Sequence, residues 1–528
     1  MSIPSGAPES SCAIFPFQRT RSLLLFGALG TLLFALGCGS NGSNSGTGPY
    51  SQSSLKGTYV VQMKGNDSFL DTNNNLQSEF YTETLVITTD GAGHLKGVED
   101  FNSSLPAFGF TAGSTFTGIY QIGKDGFGSL QINFSAPSTG QINLTVVMAS
   151  TTKFFATEAD AFANFSANAS GVGLLQNASA ITAAPTGTFV TRVHQSFPGL
   201  FPNTPSSATV GVLTSNSTTV TGTIDVLRDN VLLPTLSLSN ASVSAPDANG
   251  RGTLTYTDSA APAITTSYEY YIIDANTFWL MESDPTFLGT GTSEIQSSGA
   301  LSLAGNFVFG SGGDTSSNLG GVRSVGVFTA GSGSISAATL DSVQDGSSIL
   351  NQPFTGTYNQ GANGRVTVTL TVGNTNVPEV LWMVSNSRAY FLVGASNLVE
   401  DGTIDMQTQT TFANTDLKSQ FGYALLMNGY TPTNYLTRNG TLFADGAGNL
   451  QLNEETNSFV PGSLPGTVFD PPTLTGTYQV SADGRVTAAI NSLSSNLILY
   501  MVSPGQAYIL QNDANTENSG QITLQTSP

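Results

Sequence analysis

Cysteine and histidine carry much of the nucleophilic, proton-transfer and metal chemistry open to side chains near neutral pH. This chain has two of each among 528 residues, so little can be built on them. His94 sits beside the turn Asp90–Gly93, and His194 follows the first strand of the second repeat described below. A Ser-His-Asp hydrolase would have to use one of these two, and no G-x-S-x-G elbow accompanies either. A His-based metal site needs ligands at workable spacing, which are absent. Cys12 and Cys38 both lie in the N-terminal segment, so no Cys cluster is available either. Surface or turn roles are expected for both histidines.

Carboxylates are numerous enough for a glycosidase pair, but no motif selects one. Glu158 and Asp160 end one aromatic hairpin, and Glu282 and Asp284 end its counterpart. The equivalent Val393-Gly394 and Gln511-Asn512-Asp513 keep little of that pattern. Asp71-Thr72-Asn73-Asn74-Asn75, with Glu79 behind it, alternates oxygen donors as a calcium loop would. It lacks the turn glycine and the flanking helices, and reads as a polar loop. No phosphate-cradling or dinucleotide fingerprint stands in strand–helix context. The expectation is no catalytic set, no metal site and no cofactor.

Cys38 has a different explanation. Arg19 and Arg21 precede an apolar run from Leu23 to Leu36, followed by Gly37-Cys38 and a Gly/Ser/Asn stretch. A basic start, an apolar stretch of about 14 residues and a small residue before the cut make an export signal, short for a membrane span. Ala35-Leu36-Gly37-Cys38 resembles a bacterial lipobox, in which the Cys is lipid-modified and becomes the first mature residue. Ala35 stands where Leu is usual, and Leu36 where a small residue is usual. The expected parts are a signal peptide at 1–37 and a flexible linker at 38–54, with a membrane anchor on Cys38. Similarity to Gram-negative lipoproteins implies outer-membrane or cell-surface placement, since Gly39 rather than Asp follows the Cys. Periplasmic or secreted release is the alternative.

Beyond the leader the chain repeats itself. A Gly five residues before a Gln recurs at Gly171–Gln176, Gly291–Gln296, Gly402–Gln407 and Gly520–Gln525. Upstream of each lies a strand opener: Leu55–Tyr59, Pro185–Phe189, Leu303–Phe307 and Leu417-Lys418-Ser419-Gln420-Phe421. These marks define four modules, 55–176, 185–296, 303–407 and 417–525, of roughly 110 residues each, which is domain size rather than solenoid size. Within a module, short strands alternate apolar and polar residues, as in Ser129–Phe134, and Asx-Gly turns precede them at Asp125-Gly126, Asn249-Gly250, Asn363-Gly364 and Asp483-Gly484.

The next hairpin is the most apolar. Tyr270-Tyr271-Ile272-Ile273 and Val380-Leu381-Trp382-Met383-Val384 show no alternation, so both faces are expected to be buried, one of them against a neighbouring module. An aromatic residue follows each turn: Phe154, Trp279, Tyr390 and Tyr508. These are read as core anchors closing the hairpin. The competing reading is an aromatic ligand platform, for which Trp279, Trp382, Tyr270 and Tyr390 are the candidates.

The fold class is therefore all-β: four tandem antiparallel meanders of about eight strands each, closed into small up-and-down barrels or flattened into sandwiches. An eight-bladed propeller is the less favoured alternative. The order of strand openers, Asp-Gly-x-Gly turn, [FL]-T-G-x-Y strand, second Asx-Gly turn, apolar hairpin and G-x-x-x-x-Q strand resembles a family of uncharacterised β-repeat lipoproteins exported by acidobacterial-type soil bacteria. That resemblance spans Leu55 to Gln525 and implies no activity. Acidic residues outnumber basic ones 35 to 16, which repels phosphate backbones and argues against nucleic-acid partners. The expected function is binding or scaffolding at the cell envelope with an extracellular ligand or envelope component. A small-ligand or carbohydrate-binding barrel comes second, and a secreted carbohydrate-active enzyme third.

Overall fold

The computed structural model describes residues 48–528 except 72, 106–108, 136–139, 159, 163–164, 197–205, 229, 285–286, 316–320, 395–397, 432–433, 461, 465–466, 470–472, 492–495 and 514–515. The expected signal peptide and Cys38 lie outside the described residues. Each module is an antiparallel meander whose first strand also pairs with its last. The second and third are closed eight-stranded barrels, and in the first and fourth the same circuit of pairings closes, each with one extra short strand. Closure removes the unpaired edges that a sandwich would leave.

Inward-pointing residues fill every barrel. In barrel 1, Tyr59, Val61 and Met63 alternate along the first strand, Lys56–Leu70, and join Leu85, Ile132 and Phe154 in one buried cluster. Equivalent clusters occupy the other three. The first strand of barrel 4 is Tyr423–Tyr430, not the expected Leu417–Phe421. Tyr423 pairs with Leu524 as Tyr59 does with Leu175, so the lead-in to this barrel is longer than in the others. Part of the expected linker is also packed: Tyr50 is buried in the core of barrel 1 and donates to the Ala149 carbonyl at 2.9 Å.

The outward faces decide how the barrels assemble. The first two strands of barrel 1 carry Val60 and Val86 against Tyr271, Ile273, Trp279 and Met281 on the apolar hairpin of barrel 2. The same pairing recurs between barrels 2 and 3, where Val190 and Val210 meet Trp382 and Tyr390, and between barrels 3 and 4, where Val308 and Val325 meet Tyr500 and Leu510. Ala424 and Leu426 of barrel 4 then meet Val147 and Phe155 of barrel 1. A head-to-tail contact used four times has returned to its start, so the barrels form a closed ring.

The aromatics after the hairpin turn therefore need correcting in two ways. Phe154 aligns with Phe278, Ala389 and Ala507, all facing into their own barrels, whereas Phe155, Trp279, Tyr390 and Tyr508 are the residues that face out. Trp279, Tyr390 and Tyr508 anchor the seams between barrels rather than the barrel cores. A one-residue shift in register reverses the face, which is why Phe154 and Phe155 cannot be told apart by proximity to the turn.

Candidate functional site: the junction of four barrels

The repeated Gln has a common job. Gln176 Nε2 donates to the carbonyls of Asn249 (2.9 Å) and Ile272 (2.7 Å) in barrel 2, and Gln296 to those of Asn363 (2.9 Å) and Met383 (2.8 Å) in barrel 3. Gln407 reaches Asp483 (2.8 Å) and Met501 (3.0 Å) in barrel 4, and Gln525 reaches Asp125 (3.0 Å) and Met148 (2.8 Å) in barrel 1. One acceptor of each pair belongs to the repeated Asx-Gly turn and the other to the first strand of the apolar hairpin. The glycine is needed twice over: Gly250 has φ +75°, and a Cβ there would lie 2.7 Å from Gln176 Nε2. The two marks that repeat in the sequence are thus the two halves of one clamp.

Three seams add a buried ion pair. Asp225 receives Arg365 (2.8 and 2.7 Å) and the Trp382 indole (2.6 Å), and Asp341 receives Arg485 (2.7 Å twice) and Tyr500 (2.6 Å). Asp100 receives Arg251 (2.5 Å) and the Tyr271 hydroxyl. In the seam between barrels 4 and 1 the corresponding positions are Glu455, Phe127 and Val147; Glu455 accepts from the Thr145 hydroxyl (3.1 Å), and amides add to the contact. Asn168 Nδ2 donates to Asn457 O (2.9 Å), and Asn457 Nδ2 donates to Glu158 O (2.8 Å) and Ala167 O (3.0 Å).

Because the seams use the first two strands on one flank and the hairpin on the other, the first and last strands of each barrel lie between them and face the ring centre. Their outward residues meet there. The position five after the inward aromatic is Lys64, His194, Gly312 and Asn428 in turn. The fold repeats and this lining does not. His194 lies within its strand, Thr186–Ser196, rather than after it, and is not a surface residue. Its Nδ1 is 2.6 Å from Asp401 Oδ1 and its Nε2 is 3.1 Å from Asp314 Oδ2. With a carboxylate on each nitrogen, both must carry protons. Burial opposes that charge, but Asp401 and Asp314 outweigh it and raise the pKa above 6.5. Asp314 is in turn held down to about 2, burial being outweighed by the His194 hydrogen bond and charge.

Arg192 pairs with Asp401 and donates to Thr403 Oγ1 at 2.9 Å; Arg323 donates to the carbonyls of Gly313 (2.9 Å) and Val322 (2.7 Å) and lies 5.0 Å over the Tyr430 ring. Beside them is a cavity of about 90 Å³ lined from all four barrels, including Lys64, Asn168, His194, Asp314, Asn428 and Thr437. Lys64 makes no hydrogen bond or ion pair among the described residues. Its side chain keeps solvent exposure; desolvation by the surrounding junction lowers its pKa most, Asp314 opposes that, and Arg323 adds to it.

Of the platform candidates only Trp382 and Tyr390 come together, as cross-strand partners in the seam between barrels 2 and 3. Tyr270 is inside barrel 2, donating to Ser244 O at 2.8 Å; Trp279 and Trp382 occupy different seams; Tyr390 donates to Glu294 beside Arg388. Glu158 and Glu282 are sealed within their barrels, on Tyr81 and on Gln195 (2.9 Å). Asp71 is spent on its own turn, accepting from Asn73 N and Asn75 N at 2.8 Å, while Glu79 accepts from Ser103. Among the described residues no group of three or more His, Cys, Asp or Glu is placed to hold a metal. The signal that could have found the junction is divergence at an equivalent position: Lys64, His194 and Asn428 align once the repeat register is known.

No protein-family model and no curated protein matches the chain. Among solved structures, intact Ap-TbpB with its N and C lobes aligns at 8% identity over 66% of this chain and 77% of that one, with a TM-score of 0.19. Transferrin binding protein B from Haemophilus parasuis Hp5 gives 9% identity over 66% and 77%, with a TM-score of 0.19. The isotype 1 protein from serogroup B Neisseria meningitidis gives 7% over 70% and 83%, with a TM-score of 0.18. Scores this low carry no inference of shared architecture or function.

Proposed function

We propose that this chain is an exported, lipid-anchored cell-envelope protein that serves as a rigid binding or scaffolding ring and not as an enzyme. The observation that carries it is the closed ring itself. Four barrels are clamped by one repeated contact around a centre whose residues depart from the repeat. The leader and the Gly37-Cys38 junction supply the anchor, and the acidic pairs that might serve catalysis are sealed in barrels or committed to seams. No helix among the described residues is long and apolar enough to cross a membrane. Small-ligand binding is the second reading; since side chains fill the barrels, the junction cavity is its site.

The test of the anchor is Cys38→Ser expressed in a Gram-negative host. The variant should leave the membrane fraction or retain its uncleaved leader. Unchanged size and unchanged membrane association would exclude lipidation.

A further inference from the structure

Three features of the junction point to a ligand independently of one another. The Lys64 ammonium lines the cavity with no partner among the described residues. Three further polar atoms of the lining, Thr82 Oγ1, Thr437 Oγ1 and Asn168 Oδ1, are buried without a hydrogen-bond partner, on residues 4%, 5% and 1% exposed. Such groups cost about 1–3 kcal/mol each when left unmet. Finally, basic side chains gather around the cavity. Lys64, Arg192, protonated His194 and Arg323 face Asp314 and Asp401. Nearby Glu400 is engaged by Ser311 inside barrel 3, and Glu517 accepts from the backbone amides of Gly321 (2.9 Å) and Gly346 (2.6 Å). Four basic side chains gathered at the centre of a chain of net charge −19 are a place for an anion.

The donor set narrows the anion. An ammonium and two hydroxyls suit oxyanion oxygens. Asn168 cannot donate into the cavity, because its Nδ2 is used on Tyr435 O (3.3 Å) and Asn457 O (2.9 Å); its orphaned Oδ1 requires a donor. The cavity, with about 90 Å³ of accessible space, has room for a small tetrahedral ion. We propose that the four-barrel junction binds a hydrogen phosphate group, with its anionic oxygens on Lys64, Thr82 and Thr437 and its O–H donated to Asn168 Oδ1. Sulfate, which carries no O–H at neutral pH, leaves Asn168 unmet and binds more weakly. This deepens the binding reading of the ring and does not depend on the lipid anchor, so loss of membrane association in Cys38→Ser leaves it standing.

The experiment is calorimetric titration of the purified protein with inorganic phosphate and with sulfate at neutral pH. One saturable phosphate site per chain is expected, with sulfate about tenfold weaker or more. Lys64→Gln should weaken phosphate about tenfold or more, and the shape-preserving Thr437→Val should weaken it measurably, neither lowering the melting temperature in the absence of phosphate and Thr437→Val raising it. Thr437→Val also serves if Lys64→Gln fails to fold. Absence of saturable phosphate binding, sulfate binding as tightly as phosphate, or phosphate affinity unchanged in both variants would each overturn the proposal.

Discussion

Gln525 Nε2 donates to the main-chain oxygen of Asp125, 400 positions earlier, at 3.0 Å. This bond joins the last strand of the fourth barrel to a turn of the first, and Thr526 N reinforces it on Ala149 O at 3.0 Å. It is the same bond that Gln176 makes to the neighbouring barrel, so a contact between sequence neighbours is reused to end the array. Repeat proteins otherwise need polar caps on their terminal units. Here each end caps the other.

Gln525→Ala should therefore open the ring where Gln176→Ala only loosens it. Both variants leave two carbonyls unmet, at about 1–3 kcal/mol. Between barrels 1 and 2 the chain still connects the partners, whereas between 4 and 1 it does not. Small-angle scattering should show a larger radius of gyration for Gln525→Ala alone. Equal scattering from both variants and wild type would mean that the amide seam of Asn168 and Asn457 suffices for closure.

Trp279 and Trp382 are the only tryptophans, and each is buried in a different seam. In the single-tryptophan variants Trp279→Phe and Trp382→Phe, fluorescence should report the same denaturant midpoint as circular dichroism within each variant. The shared apolar seams couple the barrels into one transition. A fluorescence transition at lower denaturant than the loss of β signal would show that seams part before barrels unfold.

Asp225 is fully buried, and it holds Arg365 and the Trp382 indole from the next barrel. Asp225→Ala leaves a guanidinium and an indole N–H without their acceptor, and should cost about 3–5 kcal/mol in denaturant unfolding. Asp225→Asn retains a carbonyl acceptor and should cost less. Similar losses for both would assign the effect to charge alone.

Protonated His194 is bound by Asp401 and Asp314 in the folded ring, which raises its pKa above 6.5. The stabilisation is complete below 6.5 and is lost as pH rises through the folded-state value, because the proton is then released in both states. Glu269 and Glu379, whose pKa values burial pushes up to about 7 and about 8, add a fall of the same sign, since their ionised forms are disfavoured in the fold. His194→Gln removes only the histidine contribution. Its denaturant midpoint should decline less than that of wild type between about pH 6 and 9. Parallel declines would place the alkaline loss elsewhere.

What the sequence determined by itself was local and periodic. Alternation along Ser129–Phe134 sets which side chains enter a barrel, and Asp125-Gly126 and its equivalents set where hairpins turn, because both depend on neighbours a few residues apart. Repetition of these marks was enough to count the modules. The non-alternating runs around Tyr271 and Trp382 also showed that a second face must be covered, though not by what. Only the tertiary structure decided that Gln176 and Asn249 belong to one bond, that the array closes on itself, and that His194, Asp314 and Asp401 share a site. Those contacts join residues more than 70 positions apart on separate barrels, and they depend on the angle at which one barrel docks against the next. No periodicity within a strand encodes that angle.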